Sequence, residues 1–125
     1  MKNKTFFQSI CCAVNGLKNA LKTEKNYKYY IGISLFFLCL NVYFKIDLFG
    51  HLCHIITTMG VFSSECINTS IEHFIDMVDK EIKPEIKLIK DIAASSVLCW
   101  GIAFFLCEFI LIGIFNNLDM IINFD

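Results

Sequence analysis

The stretch from Glu65 to Asp79 reads ECINTSIEHFIDMVD, and it follows a long apolar run. On a helix that advances about 100° per residue, Glu65, Glu72 and Asp76 lie within roughly 40° of one another. Asn68 lies one turn beyond Glu65, on the same side of the helix. Acidic side chains at membrane depth are costly, and they typically serve a cation, a partner or a reaction. The stretch therefore predicts one helix that carries a functional polar stripe along one face.

The composition of the 125-residue chain indicates an integral membrane protein. Hydrophobic residues make up 56% of the chain and charged residues 18%, which is more apolar surface than a soluble domain of this length can bury. The net charge is −1, and no basic face typical of nucleic-acid binding is present, so we expect no nucleic-acid partner. The seven cysteines include no Cys-x-x-Cys pair, and we interpret them as small apolar residues.

The hydrophobic pattern predicts an all-α integral membrane bundle that forms a single domain over residues 1–125. An amphipathic N-terminal segment with lysines on its polar face is typical of a helix at the membrane surface. Longer apolar segments are typical of membrane helices. The predicted elements are a surface helix at 1–23 and three membrane helices at about 27–45, 48–79 and 88–116.

The lysines predict how the chain is oriented. Ten of the eleven lie before residue 30 or between residues 80 and 90, so both regions are predicted to face the cytoplasm and the C-terminus to lie outside. Glu65 then lies about two helical turns deeper in the membrane than Glu72. Five residues are placed at the cytoplasmic boundary, where a nucleotide can reach them: Glu24, Glu72, Asp76, Lys90 and Asp91.

These residue types suit phosphoryl transfer, which needs cations on the phosphates and a base for the acceptor hydroxyl. Mg²⁺ takes one or two protein carboxylates together with phosphate oxygens, and Glu24 and Glu72 are the candidates. Lys90 is a candidate to neutralise phosphate charge, and the depth of Glu65 suits a base at the membrane surface. The sequence contains no Walker A loop and no protein-kinase signature. The pattern by itself leaves a structural or ion-conducting role open beside catalysis.

Three motifs resemble those of the prokaryotic diacylglycerol kinase family. Residues 65–76 resemble its E-x-x-N-[ST]-[AS]-I-E-x-x-x-D signature, and Lys90-Asp91 followed by IAASSVL resembles its second signature. Glu24-Lys25-Asn26 matches an E-x-N elbow found in many members. The resemblance covers nearly the whole chain. It implies a bacterial inner-membrane lipid kinase that uses ATP and Mg²⁺, with a surface helix, three spans and active sites between the subunits of a homotrimer.

The resemblance also implies a role for each matching residue. By this resemblance Glu65 would be the catalytic base, with Asn68 supporting it. Glu24 and Glu72 would be the metal ligands. Many relatives carry an acid or a histidine where Tyr30 stands in this sequence. The residues implied to contact ATP are Asp76, Lys90 and Asp91.

The expected reaction is ATP-dependent phosphorylation of a membrane lipid alcohol, diacylglycerol to phosphatidic acid. Undecaprenol is the alternative acceptor, because relatives that act on it share every catalytic motif, and the E-x-N elbow and the Pro84 connection favour it. A small membrane channel or assembly protein would explain the spans and the stripe, but not Lys90-Asp91 beside the carboxylates. The sequence assigns no role to Glu108.

Overall fold

The computed structural model of the chain describes residues 5–78 and 83–122, with side chains described as far as residue 114. Apart from short turns this part of the chain is helical, which confirms the all-α prediction. Residues 1–4 of the predicted surface helix and residues 79–82 of the charged connection lie outside the described residues. The helices are α1 (Phe6–Thr23), α2 (Asn26–Tyr43), α3 (Leu48–Val78) and α4 (Pro84–Ile122).

The first helix begins at a capping box. The Gln8 backbone N–H donates to the Thr5 hydroxyl, and the Thr5 backbone N–H donates to the Gln8 side-chain oxygen at 3.0 Å. These bonds satisfy two amides that have no partner within the helix. No α1 side chain is buried, so its apolar side chains, such as Phe6 and Phe7, remain exposed on the molecule. The helix thus has the amphipathic character of a surface element.

The other three helices form a bundle in which α3 packs against both α2 and α4. Its apolar core is small and consists of Phe37, Val61 and Phe104, one from each helix. The rings of Phe37 and Phe104 meet edge to face, with their centroids 5.5 Å apart. Gly60 lies directly under the indole of Trp100, and this close approach sets how near α3 and α4 come to each other.

The exterior of the bundle is apolar. Large side chains on α2, α3 and α4 are more than half exposed, among them Leu35, Phe36, Ile55, Ile56 and Phe109. Contiguous apolar surface of this kind is typical of a protein covered by lipid or by another chain. The molecule therefore has the character of a membrane bundle.

Within the described residues, one helix is long and apolar enough to cross a membrane, namely α4 over Pro84–Ile114. The sequence predicts three crossings. In α2 the first turns carry polar groups, and in α3 polar side chains such as His54, Thr57 and Ser64 interrupt the apolar run. These three α3 side chains are buried inside the bundle, where they do not face lipid. The crossings of α2 and α3 remain a prediction.

A buried polar cluster joins the three bundle helices. Both oxygens of Glu108 on α4 have partners: His54 Nδ1 on α3 lies 2.6 Å from Oε1, and Asn41 Nδ2 on α2 donates to Oε2 at 2.9 Å. Glu108 and Asn41 are 0% exposed, and His54 is 4% exposed. We call these three residues the Glu108 cluster. The cluster gives Glu108 a structural partner on each neighbouring helix, which the sequence pattern did not reveal.

Candidate active site

The Glu65 carboxylate is held between α3 and the start of α2. Asn26 Nδ2 donates to Glu65 Oε1 at 2.8 Å, and the Tyr30 hydroxyl donates to Oε2 at 3.3 Å. The residue is only 2% exposed. Each carboxylate oxygen retains a lone pair beyond these two bonds. Glu65 is therefore oriented by two donors and still able to accept a proton.

Tyr27 fixes this arrangement by anchoring α2 to α3. Its side chain is fully buried, and its hydroxyl donates to the Phe62 carbonyl at 3.2 Å and lies 2.8 Å from the Cys66 sulfur. Asn26 and Tyr30 flank Tyr27 and lie four residues apart, on one face of α2. Burying Tyr27 against α3 thus brings both donors to Glu65.

Asn68 contacts a different carboxylate from the one that the family resemblance implies. Its Nδ2 donates to Glu72 Oε1 at 2.9 Å, one turn further along α3. Its Oδ1 is buried and has no protein partner. A buried acceptor without a partner is costly, unless a ligand or water supplies the donor. Support of Glu65 by Asn68 stays a prediction.

A cavity of about 440 Å³ lies between α2, α3 and α4. At one end it is lined by polar groups, which include the side chains of Glu65, Asn68 and Glu72. Away from these groups the walls carry apolar side chains. They include Ile33, Val61, Val97, Leu98, Phe104 and Phe105. The cavity therefore suits an amphipathic molecule with its polar end beside Glu65 and its hydrocarbon against the apolar walls.

The two predicted metal ligands lie on different elements, with Glu24 at the elbow between α1 and α2 and Glu72 on α3. Glu24 is the C-cap residue of α1, and its Oε1 lies 3.7 Å from Nε2 of His73, the residue that follows Glu72. Among the described residues, no group of three or more His, Cys, Asp and Glu side chains forms a metal cluster. Mg²⁺ can use as few as one or two protein carboxylates together with phosphate oxygens and water, and Glu24 and Glu72 stay predicted ligands.

The residues predicted to contact ATP lie where α3 and α4 approach each other. Lys90 Nζ donates to Asp76 Oδ1 at 2.5 Å, and both side chains are partly exposed. Asp91 is exposed on the next position of α4. Solvent weakens an exposed ion pair, so a phosphate group can compete for the lysine. The structure thus places the Lys90 ammonium group beside Asp76, at the end of the polar stripe on α3.

The structure adds Asn26 and Tyr30 to the site. Asn26 belongs to the E-x-N elbow, but that motif does not show that its amide reaches Glu65. In the sequence, Tyr30 was noted only because many relatives carry an acid or a histidine at its position. Their spacing of four residues was the available signal, since it places both side chains on one face of α2.

Two comparisons with known proteins show what the chain is similar to. Residues 11–112 match the family model described as prokaryotic diacylglycerol kinase. The chain is also similar to the undecaprenol kinase of Bacillus subtilis (strain 168), at 27% identity over 97 residues that cover 78% of this chain and 79% of the relative. The family match spans the acidic stripe, the Glu24 elbow and Lys90-Asp91. The chain belongs to the prokaryotic diacylglycerol kinase family, which is a family of membrane lipid kinases.

Proposed function

We propose that the protein transfers the γ-phosphoryl group of ATP to the hydroxyl of diacylglycerol and so forms phosphatidic acid. The observation that carries this proposal is the cavity, which joins the buried Glu65 carboxylate to apolar walls on three helices. A lipid alcohol placed there has its hydroxyl at Glu65 and its chains along α4. A water-soluble acceptor would leave those walls unfilled.

Glu65 is the proposed general base. As the lipid oxygen bonds to the γ-phosphorus, its proton passes to the carboxylate, and the bond from phosphorus to the departing ADP oxygen breaks. Asn26 and Tyr30 hold the carboxylate in place through this step. Both donors are neutral, so they orient the carboxylate without pairing it with a positive charge. Positioned bases of this kind typically contribute about 10²- to 10⁴-fold to the rate.

Glu24 and Glu72 are the proposed ligands of Mg²⁺. When bound there, the ion neutralises charge on the phosphate oxygens during transfer. Lys90 contributes a further positive charge, and Asp76 keeps it near the stripe. Asp91 is proposed to contact the nucleotide. We further propose a multi-pass protein of the bacterial inner membrane with this end of the bundle in the cytoplasm, where ATP is available.

Undecaprenol is the second candidate acceptor. It is favoured by the similarity to the undecaprenol kinase of Bacillus subtilis. The apolar walls of the cavity also suit a polyprenyl chain, so the shape of the cavity is compatible with both diacylglycerol and undecaprenol.

Purified protein supplied with ATP, Mg²⁺ and each alcohol in matched detergent micelles tests the proposal. We expect phosphatidic acid to form at a higher kcat/KM than undecaprenyl phosphate. Phosphorylation of undecaprenol alone would transfer the assignment to the second candidate. Failure to phosphorylate either lipid would overturn both.

Glu72→Gln is expected to raise the Mg²⁺ concentration needed for half-maximal activity by roughly tenfold or more, because a charged ligand is lost. The glutamine oxygen still accepts the bond from Asn68, so the fold should be retained. Titrating Mg²⁺ against the initial rate measures the effect. Glu85→Gln, an exposed change on α4, is the matched control and should titrate like the unmodified protein. An unchanged titration for Glu72→Gln would remove it as a ligand.

A homotrimer is the proposed assembly. The apolar exterior requires a covering, and the exposed Asp76 leaves the nucleotide end of the site open on one side. Glu65 and its two donors meet within one chain, and a neighbouring subunit would close the open side, as the family resemblance implies. Native mass spectrometry of the detergent-extracted protein should give the mass of three chains. A fully active monomer would contradict the proposal.

A further inference from the structure

The Glu108 cluster reaches the cavity through two hydroxyl groups. Ser34 Oγ lies 3.1 Å from His54 Nε2 and 3.3 Å from Thr58 Oγ1. Ser34 and Thr58 both line the cavity, whereas His54 and Glu108 lie behind them. A continuous hydrogen-bonded chain therefore runs from the buried carboxylate to the cavity wall. The proposed phosphoryl transfer does not use this chain.

The direction of these hydrogen bonds follows from the charge of the cluster. Glu108 is fully buried, and among the side chains described in residues 5–78 and 83–114 no lysine pairs with it. An uncompensated carboxylate at this depth is costly, so the cluster is stable when Glu108 and His54 together are neutral. Neutrality requires one shared proton, either on His54 Nδ1 or on the carboxylate. In both cases His54 Nε2 also carries a proton, because the imidazole must keep one when Nδ1 accepts.

His54 Nε2 therefore donates to Ser34. The Ser34 and Thr58 hydroxyls carry one proton each, and the hydrogen bond between the two groups uses one of these protons. The other proton has no partner on His54, since that nitrogen is itself the donor. One hydroxyl proton thus remains available to a molecule in the cavity.

We propose that Ser34 and Thr58 form a subsite for an ester carbonyl oxygen of the acceptor lipid, and that the Glu108 cluster is the positioning group that keeps this subsite a hydrogen-bond donor. The inference rests on the proposed function, because it concerns the lipid phosphorylated beside Glu65. Thr58 precedes Glu65 by seven residues, or about 10 Å of helix rise. One hydrogen bond of about 3 Å to Glu65 and another to Thr58 leave roughly 4 Å between the hydroxyl oxygen and the carbonyl oxygen of the lipid. Glycerol esters carry a carbonyl at such a separation, whereas a polyprenol carries hydrocarbon there.

The test compares an ester lipid with its ether analogue. Dioleoylglycerol and dioleylglycerol diether share the reacting hydroxyl and the hydrocarbon chains, but the diether lacks both carbonyls. We expect the unmodified protein to show a kcat/KM roughly tenfold higher for the ester, which is the usual effect of one buried hydrogen bond. Equal kcat/KM values would overturn the subsite, and they would leave the proposed lipid kinase activity in place.

Thr58→Val alone would leave the Ser34 proton available to the lipid, so the test removes both hydroxyls in Ser34→Ala combined with Thr58→Val. This double variant should lose the ester preference, so that the ester and the diether have the same kcat/KM. Thr58→Ser retains both hydroxyls and should retain the ester preference. A preserved preference in the double variant would assign the carbonyl to another group and overturn the proposal.

A pair of Glu108 variants tests the positioning role. Glu108→Gln can donate its amide N–H to His54 Nδ1 and accept from Asn41, so the proton on Nε2 and the ester preference should survive. Glu108→Leu frees His54 to carry its proton on Nδ1, so the preference should fall several-fold. Near-ultraviolet circular dichroism of each variant reports whether the bundle is folded. A folded Glu108→Leu protein with the full ester preference would contradict the positioning role. If no variant of the cluster folds, the comparison of ester and diether on the unmodified protein still decides the subsite.

Discussion

Replacing Glu65 with glutamine is expected to lower kcat for lipid phosphorylation by about 10²- to 10⁴-fold, because the amide cannot accept the hydroxyl proton. The fold should be retained. The glutamine oxygen can accept from Asn26, and its amide can donate to the Tyr30 hydroxyl, which then acts as an acceptor. Single-turnover phosphorylation of dioleoylglycerol at saturating ATP measures the chemical step.

The dependence on ATP separates a base from a nucleotide contact. In Glu65→Gln the KM for ATP should barely change, because Asp76, Lys90 and Asp91 are intact. Glu85→Gln again serves as the matched control for loss of a carboxylate and should keep full turnover. Near-normal turnover with weakened ATP binding in Glu65→Gln would place Glu65 in the nucleotide site and leave the base unassigned.

Gly60→Ala is expected to destabilise the bundle by about 1–3 kcal/mol, the usual cost of overpacking a close helix contact. A Cβ at Gly60 would overlap the indole ring of Trp100, so α3 and α4 must separate or the ring must move. Thermal unfolding in detergent should show a midpoint several degrees lower. Because both helices line the cavity, kcat/KM for the lipid should fall as well.

A glycine elsewhere provides the control for Gly60→Ala. A Cβ added at Gly32 on α2 would meet no atom within 4 Å, so Gly32→Ala should be neutral or stabilising by up to about 1 kcal/mol. Combining Gly60→Ala with Trp100→Leu should recover part of the loss, since the smaller side chain leaves room. If Gly60→Ala unfolds at the same temperature as the unmodified protein, the contact does not limit the approach of the two helices.

Local sequence patterns located the helices well, because hydrophobic period and capping act within a single segment. The third predicted membrane helix, at about 88–116, begins four residues later than the observed α4. The structure begins α4 at Pro84, and the charged turn before Lys90 continues directly into the apolar helix. No glycine or further proline follows Pro84 before Gly101, so nothing interrupts the helix.

The site was predictable only in part. Glu65, Glu72 and Asp76 share one face of α3, which helical periodicity alone predicts. The contacts from Asn26 and Tyr30 to Glu65 depend on which face of α2 meets α3, and periodicity does not contain that information. The Glu108 cluster was missed for the same reason, because its members come from three helices that are far apart in sequence.

The Glu108 cluster also bears on how the chain is made. His54 precedes Glu108 by 54 residues and Asn41 precedes it by 67, so both partners leave the ribosome before the carboxylate does. A lone acid in an apolar segment opposes insertion into the bilayer, and polar groups on helices already in place offset that penalty. If α2 and α3 cross the bilayer as predicted, α4 should be retained there most readily after they are in place, so membrane insertion would have a fixed order.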